Sequence, residues 1–187
     1  MKTKVIFALI MCLAIHVQAP AQEVALSTNM ADYIDLGTLN MAMSYALSRH
    51  WSAEAVFKYN PFSYSIQAAA GSVIQNKQRA LGAGARFWPW HVYSGWWLSL
   101  RGQWQEYNRS LRSDEDAVEG DRWGGALSGG YSYMLSKHLN LEVGAGVWAG
   151  YGSQTRYACP RCGRIVSSDR GTFVLPSDVI LAVSYIF

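Results

Sequence analysis

Along most of this chain apolar residues alternate with small or polar ones at a period of two, the spacing of a strand whose two faces meet different surroundings. Leu39, Met41, Met43, Tyr45 and Leu47 oppose Asn40, Ala42, Ser44, Ala46 and Ser48. Leu139, Leu141, Val143, Ala145, Val147 and Ala149 oppose Asn140, Glu142, Gly144, Gly146 and Gly150. The pattern predicts eight strands, over 23–33, 38–48, 51–60, 78–88, 96–107, 122–135, 139–151 and 174–187. The first is the least regular, because Thr28 and Asp32 interrupt its apolar face. Each is long enough to cross a bilayer at a tilt, which takes roughly 9 to 11 residues. The last keeps its apolar face through Val179, Leu181 and Val183 to Tyr185 and a terminal Phe187. That is the form of the closing strand of a bacterial outer-membrane barrel, with Tyr185 and Phe187 as the signal for the barrel-assembly machinery.

The connectors sort by length. If Phe187 ends in the periplasm, 48–50, 89–95 and 136–138 are periplasmic and short, whereas 61–77, 108–121 and 152–173 face outward and are long; only 34–37 is short on that side. Short inner turns and long outer loops are the pattern of single-chain outer-membrane barrels. Aromatics fall at strand ends in the same scheme. Trp51, Phe87, Trp96, Tyr133 and Phe187 map to the periplasmic rim, and Tyr59, Trp104, Trp123 and Tyr151 to the outer rim. Amphipathic rings are favoured at both interfaces.

The opposite face carries Glu54, Lys58, Arg86, Arg101, Gln103, Asn140 and Glu142, with Gly82, Gly84, Gly124, Gly130, Gly144 and Gly146 between them. An eight-stranded barrel is just wide enough for side chains to fill it. The expected interior is therefore a closed polar network around Glu54, Arg86, Arg101 and Glu142. A channel lining is the alternative.

Composition narrows the compartment. Lys2 and Lys4 precede an apolar run over 5–15, and Ala19, Pro20 and Ala21 supply small residues, so 1–21 reads as a signal peptide cleaved before Gln22. Ile10 and Met11 are poor neighbours for a lipoprotein site at Cys12. Loss of Lys2 and Lys4 with no acids lowers the formal charge from +3 to +1, which implies no basic face for nucleic acid. What remains, 22–187, suits one barrel domain, and no run of about 18 apolar residues survives to make a membrane helix.

Chemical motifs are sparse. Cys159 and Cys162 bracket Pro160 and Arg161 in the longest outer loop. The ordinary reading is a short disulfide formed in an oxidising envelope. A metal site needs four ligands, and no second pair accompanies these two, so metal requires two chains to share an ion; free thiols are the third alternative. Asp114, Glu115, Asp116, Glu119 and Asp121 make an acidic loop without calcium-loop spacing. His50, His91 and His138 all map to periplasmic turns, so a Ser-His-acid arrangement cannot assemble at the outer leaflet. No enzyme and no cofactor are expected.

Several stretches carry a resemblance: Leu26-Ser27-Thr28-Asn29, Trp51 with Tyr59-Asn60-Pro61, Ala85-Arg86-Phe87-Trp88, 130–135, Leu139-Asn140-Leu141-Glu142 with Gly144 and Gly146, and 157–163 around the paired cysteines. Together they resemble a domain-of-unknown-function family of small outer-membrane β-barrel proteins from Bacteroides-type Gram-negative anaerobes, often encoded near fimbrial genes. The resemblance covers nearly the whole chain after 1–21. It departs at 173–178, where the family runs into an aromatic-Gly-Pro-Thr-Lys stretch, and at Arg101, where a histidine is usual. The family implies no activity.

The expectation is an all-β, eight-stranded antiparallel up-and-down transmembrane barrel in the outer membrane. It is non-enzymatic, with a closed polar interior, and presents outer loops for surface interaction, linked to fimbriae or to envelope integrity. The alternatives are a metal- or lipid-handling surface protein using Cys159 and Cys162, or a narrow pore.

Overall fold

Strand alternation closes on itself. A computed structural model describes residues 23–65, 73–110, 117–158 and 163–187. Its elements run β1 (Val24–Asn29), α1 (Met30–Ile34), β2 (Leu39–Ala46), β3 (Trp51–Asn60), β4 (Ser63–Ser65), β5 (Val73–Phe87), β6 (Gly95–Ser110), β7 (Ala117–Met134), β8 (Leu139–Tyr157) and β9 (Ile165–Ile186). Each long strand pairs antiparallel with its chain neighbours, β3 pairs with β5, and β1 pairs with β9. Eight strands thus form a closed barrel, and β4 is a short addition to the start of β5. Closure leaves the barrel wall no free edge, the usual liability of a sheet.

The barrel is inside out. On β2, Leu39, Met41, Met43 and Tyr45 are exposed, while Ser44 between them is buried. On β7, Trp123, Leu127, Tyr131 and Tyr133 point outward, and Ala126, Ser128 and Ser132 are buried. Inward residues are small or polar because eight strands enclose little volume.

Two sequence expectations need correction. The first strand stops at Asn29 instead of 33, and α1 follows. Asn29 caps this helix by accepting from Ala31 N at 3.3 Å, and it also accepts from Leu181 N at 2.9 Å while donating to Val179 O at 3.0 Å. Its side chain thus replaces strand pairing at the β1–β9 seam. The long outer connectors are also shorter than predicted, because β6 reaches Ser110, β7 begins at Ala117, β8 reaches Tyr157 and β9 begins at Ile165. Main-chain pairing continues there with polar side chains on both faces, as Ser153 against Arg170 and Gln154 against Asp169 show. Apolar periodicity marks only the part of a strand that meets an apolar medium or core. A register shift between Ala145 and Val147 faces the segment from Pro176 to Val179, where the proline lacks an N–H for the ladder.

The turns around 47–50, 88–94 and 135–138 lie at one end with Glu23 and Phe187, and the extended hairpins lie at the other. The connector from β5 to β6 does not loop away from the first end. It folds into it, so that Trp88, Val92 and Tyr93 pack with Ala25, Trp97 and Ile186 as the one apolar cluster inside the barrel among the described residues. Residues 1–21, read as a signal peptide, lie outside the described residues.

Candidate functional site

The lumen has a sealed end and an open end. At the sealed end Trp88 is wholly buried and donates from Nε1 to Ser52 Oγ at 3.0 Å. Tyr93 meets it edge-on at 5.8 Å. Tyr93 donates its hydroxyl to Glu23 O at 3.0 Å or Ser44 O at 3.2 Å, and its carbonyl accepts from Asn140 Nδ2 at 2.6 Å. Burial pushes the Tyr93 hydroxyl above its ordinary ionisation range. Gly130 and Gly144 admit Trp97: a Cβ on either would stand 2.7 or 3.1 Å from Trp97 Cζ2.

Above this plug stands a charged layer. Arg86 reaches Glu54 Oε2 from Nη2 at 2.9 Å and Glu142 Oε2 from Nη1 at 2.7 Å. Ser99 donates to Glu54 Oε1, and Ser184 to Glu142 Oε1 at 2.8 Å. The guanidinium also lies over the Trp97 ring at 4.1 Å. Both carboxylates are nearly inaccessible, and this dense satisfaction is what a buried charge requires. Of the four residues expected in this network, Glu54, Arg86 and Glu142 are joined directly. Arg101 borders the same small cavity of about 50 Å³ and donates from Nη2 to Gln103 Oε1 at 3.1 Å.

The open end is a polar vestibule. Lys58 binds Asp32 at 2.9 Å, and Asp35 accepts from Asn76 at 2.7 Å and Gln78 at 3.3 Å. A cavity of about 270 Å³ runs between them and Arg109, Arg122 and Trp148. Arg122 lies 3.9 Å from the Tyr107 ring centre, 5.6 Å from Trp148 and 5.8 Å from Phe173. Trp148 and Phe173 meet edge-on at 4.7 Å. A second cavity, of about 290 Å³, continues outward past Arg122, Gln154 and Thr172.

These geometries belong to a chain whose residues 5–187 match a family model described as Protein of unknown function (DUF3575). The chain belongs to this family. No curated protein matches it. For this family member, then, any functional reading rests on the lumen and the outer surface.

The sequence placed Glu54, Arg86, Arg101 and Glu142 inside, and all four face the lumen. It missed the ring cage of Arg122. Tyr107 and Trp148 have inward parity on β6 and β8, so a large ring on the polar face was the available signal; Phe173 was hidden because its stretch was read as loop. Tyr185 and Phe187 are exposed on the outer wall and meet edge-on at 4.9 Å. Phe187 N donates to Val24 O at 2.9 Å, so the last residue still belongs to the closing seam. Cys159 and Cys162 lie outside the described residues, as do Asp114, Glu115 and Asp116. Among the described residues no cluster of three or more His, Cys, Asp or Glu side chains is arranged to hold a metal. His50 and His138 donate from Nδ1 to the Trp88 and Ile186 carbonyls, at 2.9 and 2.8 Å, at the sealed end.

Proposed function

We propose that this protein is a non-enzymatic outer-membrane barrel, sealed towards the periplasm, that offers its open end and outer hairpins to molecules at the cell surface. The observation that carries this reading is the outer wall. From Trp51 to Phe57 on β3, Trp96 to Trp104 on β6, and Trp123 to Tyr133 on β7, every outward residue is apolar, aromatic or glycine. The ten steps from Trp123 to Tyr133, at about 3.4 Å each and a tilt near 45°, give a height of about 24 Å, matching the apolar band of roughly 25 Å on known membrane barrels. Exposed rings bound the band: Trp104, Trp123 and Tyr151 stand side by side at one level, with Trp51, Trp96 and Tyr133 towards the sealed end. Beyond the first level outward residues become charged, with Arg79, Glu106, Glu119 and Asp121. So much apolar surface on a monomer in water would be an aggregation liability.

The plug of Trp88 and Tyr93 with the Arg86 layer argues against a pore, and the location of the histidines at the sealed end argues against hydrolysis of outer-leaflet lipid. Membrane lipid and the barrel-assembly machinery are the expected partners of the wall and of Phe187. A fimbrial or other envelope protein, in a Bacteroides-type cell, is the partner the resemblance suggests for the outer hairpins. Fractionation of cells, followed by comparison of boiled and unboiled gel mobility, tests the reading. A mobility shift in the outer-membrane fraction is expected; a soluble, unshifted protein would overturn it.

A further inference from the structure

We propose that the open vestibule binds a small oxyanion, a carboxylate or phosphate carried on a water-soluble molecule of about monosaccharide size, with Arg122 as its anchor. The inference deepens the role proposed for the open end and is independent of which membrane holds the barrel.

A buried guanidinium ordinarily has an acid partner, because desolvating a lone charge costs several kcal/mol. Arg86 has two. Arg122, which is half-buried, forms no ion pair with any carboxylate among the described residues. Its Nε is buried without an acceptor, and so is Nε1 of Trp148 in the same cage. Two donors in one cage thus lack an acceptor from the chain, and the open cavities reach the same two side chains. The sealed end has an orphan donor as well, Trp97 Nε1, yet there the neighbouring cation is paired.

The surrounding charges point the same way. Asp32 is paired with Lys58, and Asp35 accepts from the Asn76 and Gln78 amides, which satisfy its oxygens but leave its charge in place. Asp121 projects from the outer side of β7; Asp169, opposite Gln154, lines the outer cavity from the lumen face and is exposed at its mouth. Arg109 lines the inner cavity with Arg122 and adds a second positive charge. Stacking on Tyr107 holds the guanidinium flat while leaving its in-plane N–H fork for a two-point contact with an oxyanion. Phe173 gives the outer cavity an apolar wall, and Gln154 on the same face gives it an amide that matches a hydroxyl, a lining that suits a sugar ring bearing the charge.

The test is titration of the full chain, folded in zwitterionic detergent, with glucuronate, glucose 6-phosphate and glucose, read by calorimetry and by the difference in tryptophan fluorescence between the parent and Trp148→Phe. Saturable binding of at least one of the two anions and none of glucose is expected. Arg122→Gln should weaken it at least tenfold, and Arg122→Lys, which keeps the charge but loses the fork, should fall between. Each variant is first shown to keep the heat-modifiable mobility of a folded barrel. Absence of saturable binding by both anions, equal binding of glucose, or equal affinity in Arg122→Gln would overturn the site. Those failures occur in a folded barrel and so differ from failure of the membrane reading, which appears as a soluble, unshifted protein.

Discussion

Two arginines in one lumen receive opposite treatment. Arg86 is stacked on Trp97 and clamped between Glu54 and Glu142 above a fully buried Trp88. Arg122 is stacked on Tyr107 beside Trp148 and Phe173, with a cavity on each side and no ion pair to a carboxylate among the described residues. The ring platform is the same in both; the difference is whether the chain supplies the counter-charge. Where it does, the guanidinium becomes part of the seal. Where it does not, the guanidinium is held ready, at a cost in stability, for a charge from outside.

The largest effect should come from breaking the seal. Arg86→Gln leaves two buried carboxylates facing each other, and barrel stability measured by urea unfolding in detergent should fall by about 3–5 kcal/mol. Equal stability would remove the contrast altogether. Trp88→Ala should cost a similar amount, about 3–5 kcal/mol, by emptying the plug. If either variant gains conductance in planar bilayers while the parent has none, the seal is also the permeability barrier.

Tyr93→Phe sharpens the comparison more gently. Loss of the hydroxyl contacts to Glu23 O and Ser44 O should cost about 1 kcal/mol. The folded state holds the Tyr93 proton more tightly than the unfolded chain does. That contribution is present in full below the unfolded value of about 10, and it is lost as pH rises through the higher folded value. Stability of the parent should therefore decline above pH of about 10 more than that of Tyr93→Phe, and parallel curves would contradict the assignment. At the open end Arg122→Gln should change stability by no more than about 2 kcal/mol, the worth of its ring contacts, because no ion pair is broken. A loss as large as that of Arg86→Gln would mean that Arg122 is structural. Phe187→Ala, on the outer wall, should change unfolding least and act instead on assembly in cells, read as the heat-modifiable fraction; unimpaired assembly would refute the role of the last residue.

Much of the barrel was legible because a narrow barrel enforces strict alternation: Leu39 to Leu47 and Leu139 to Ala149 reveal their faces residue by residue. The lumen pair of Glu54 and Glu142 around Arg86 was legible for the same reason, since charges on the small-residue face have nowhere else to go. The pattern faded where its cause faded. Above Tyr151 both faces are polar, so hydrogen-bonded hairpins looked like loops. At Asn29 the alternation gave way to a cap, and only Thr28 and Asp32 hinted at it.

The sequence by itself determined the strand faces, the inward charges and the two levels of rings, because each follows from a local period of two. Tertiary structure alone decided that 88–94 turns inward as a plug, that Arg86 bridges the two glutamates, and that Arg122 gathers Tyr107, Trp148 and Phe173. Those contacts link residues on different strands, and their heights are set by barrel register and closure, which no single strand encodes.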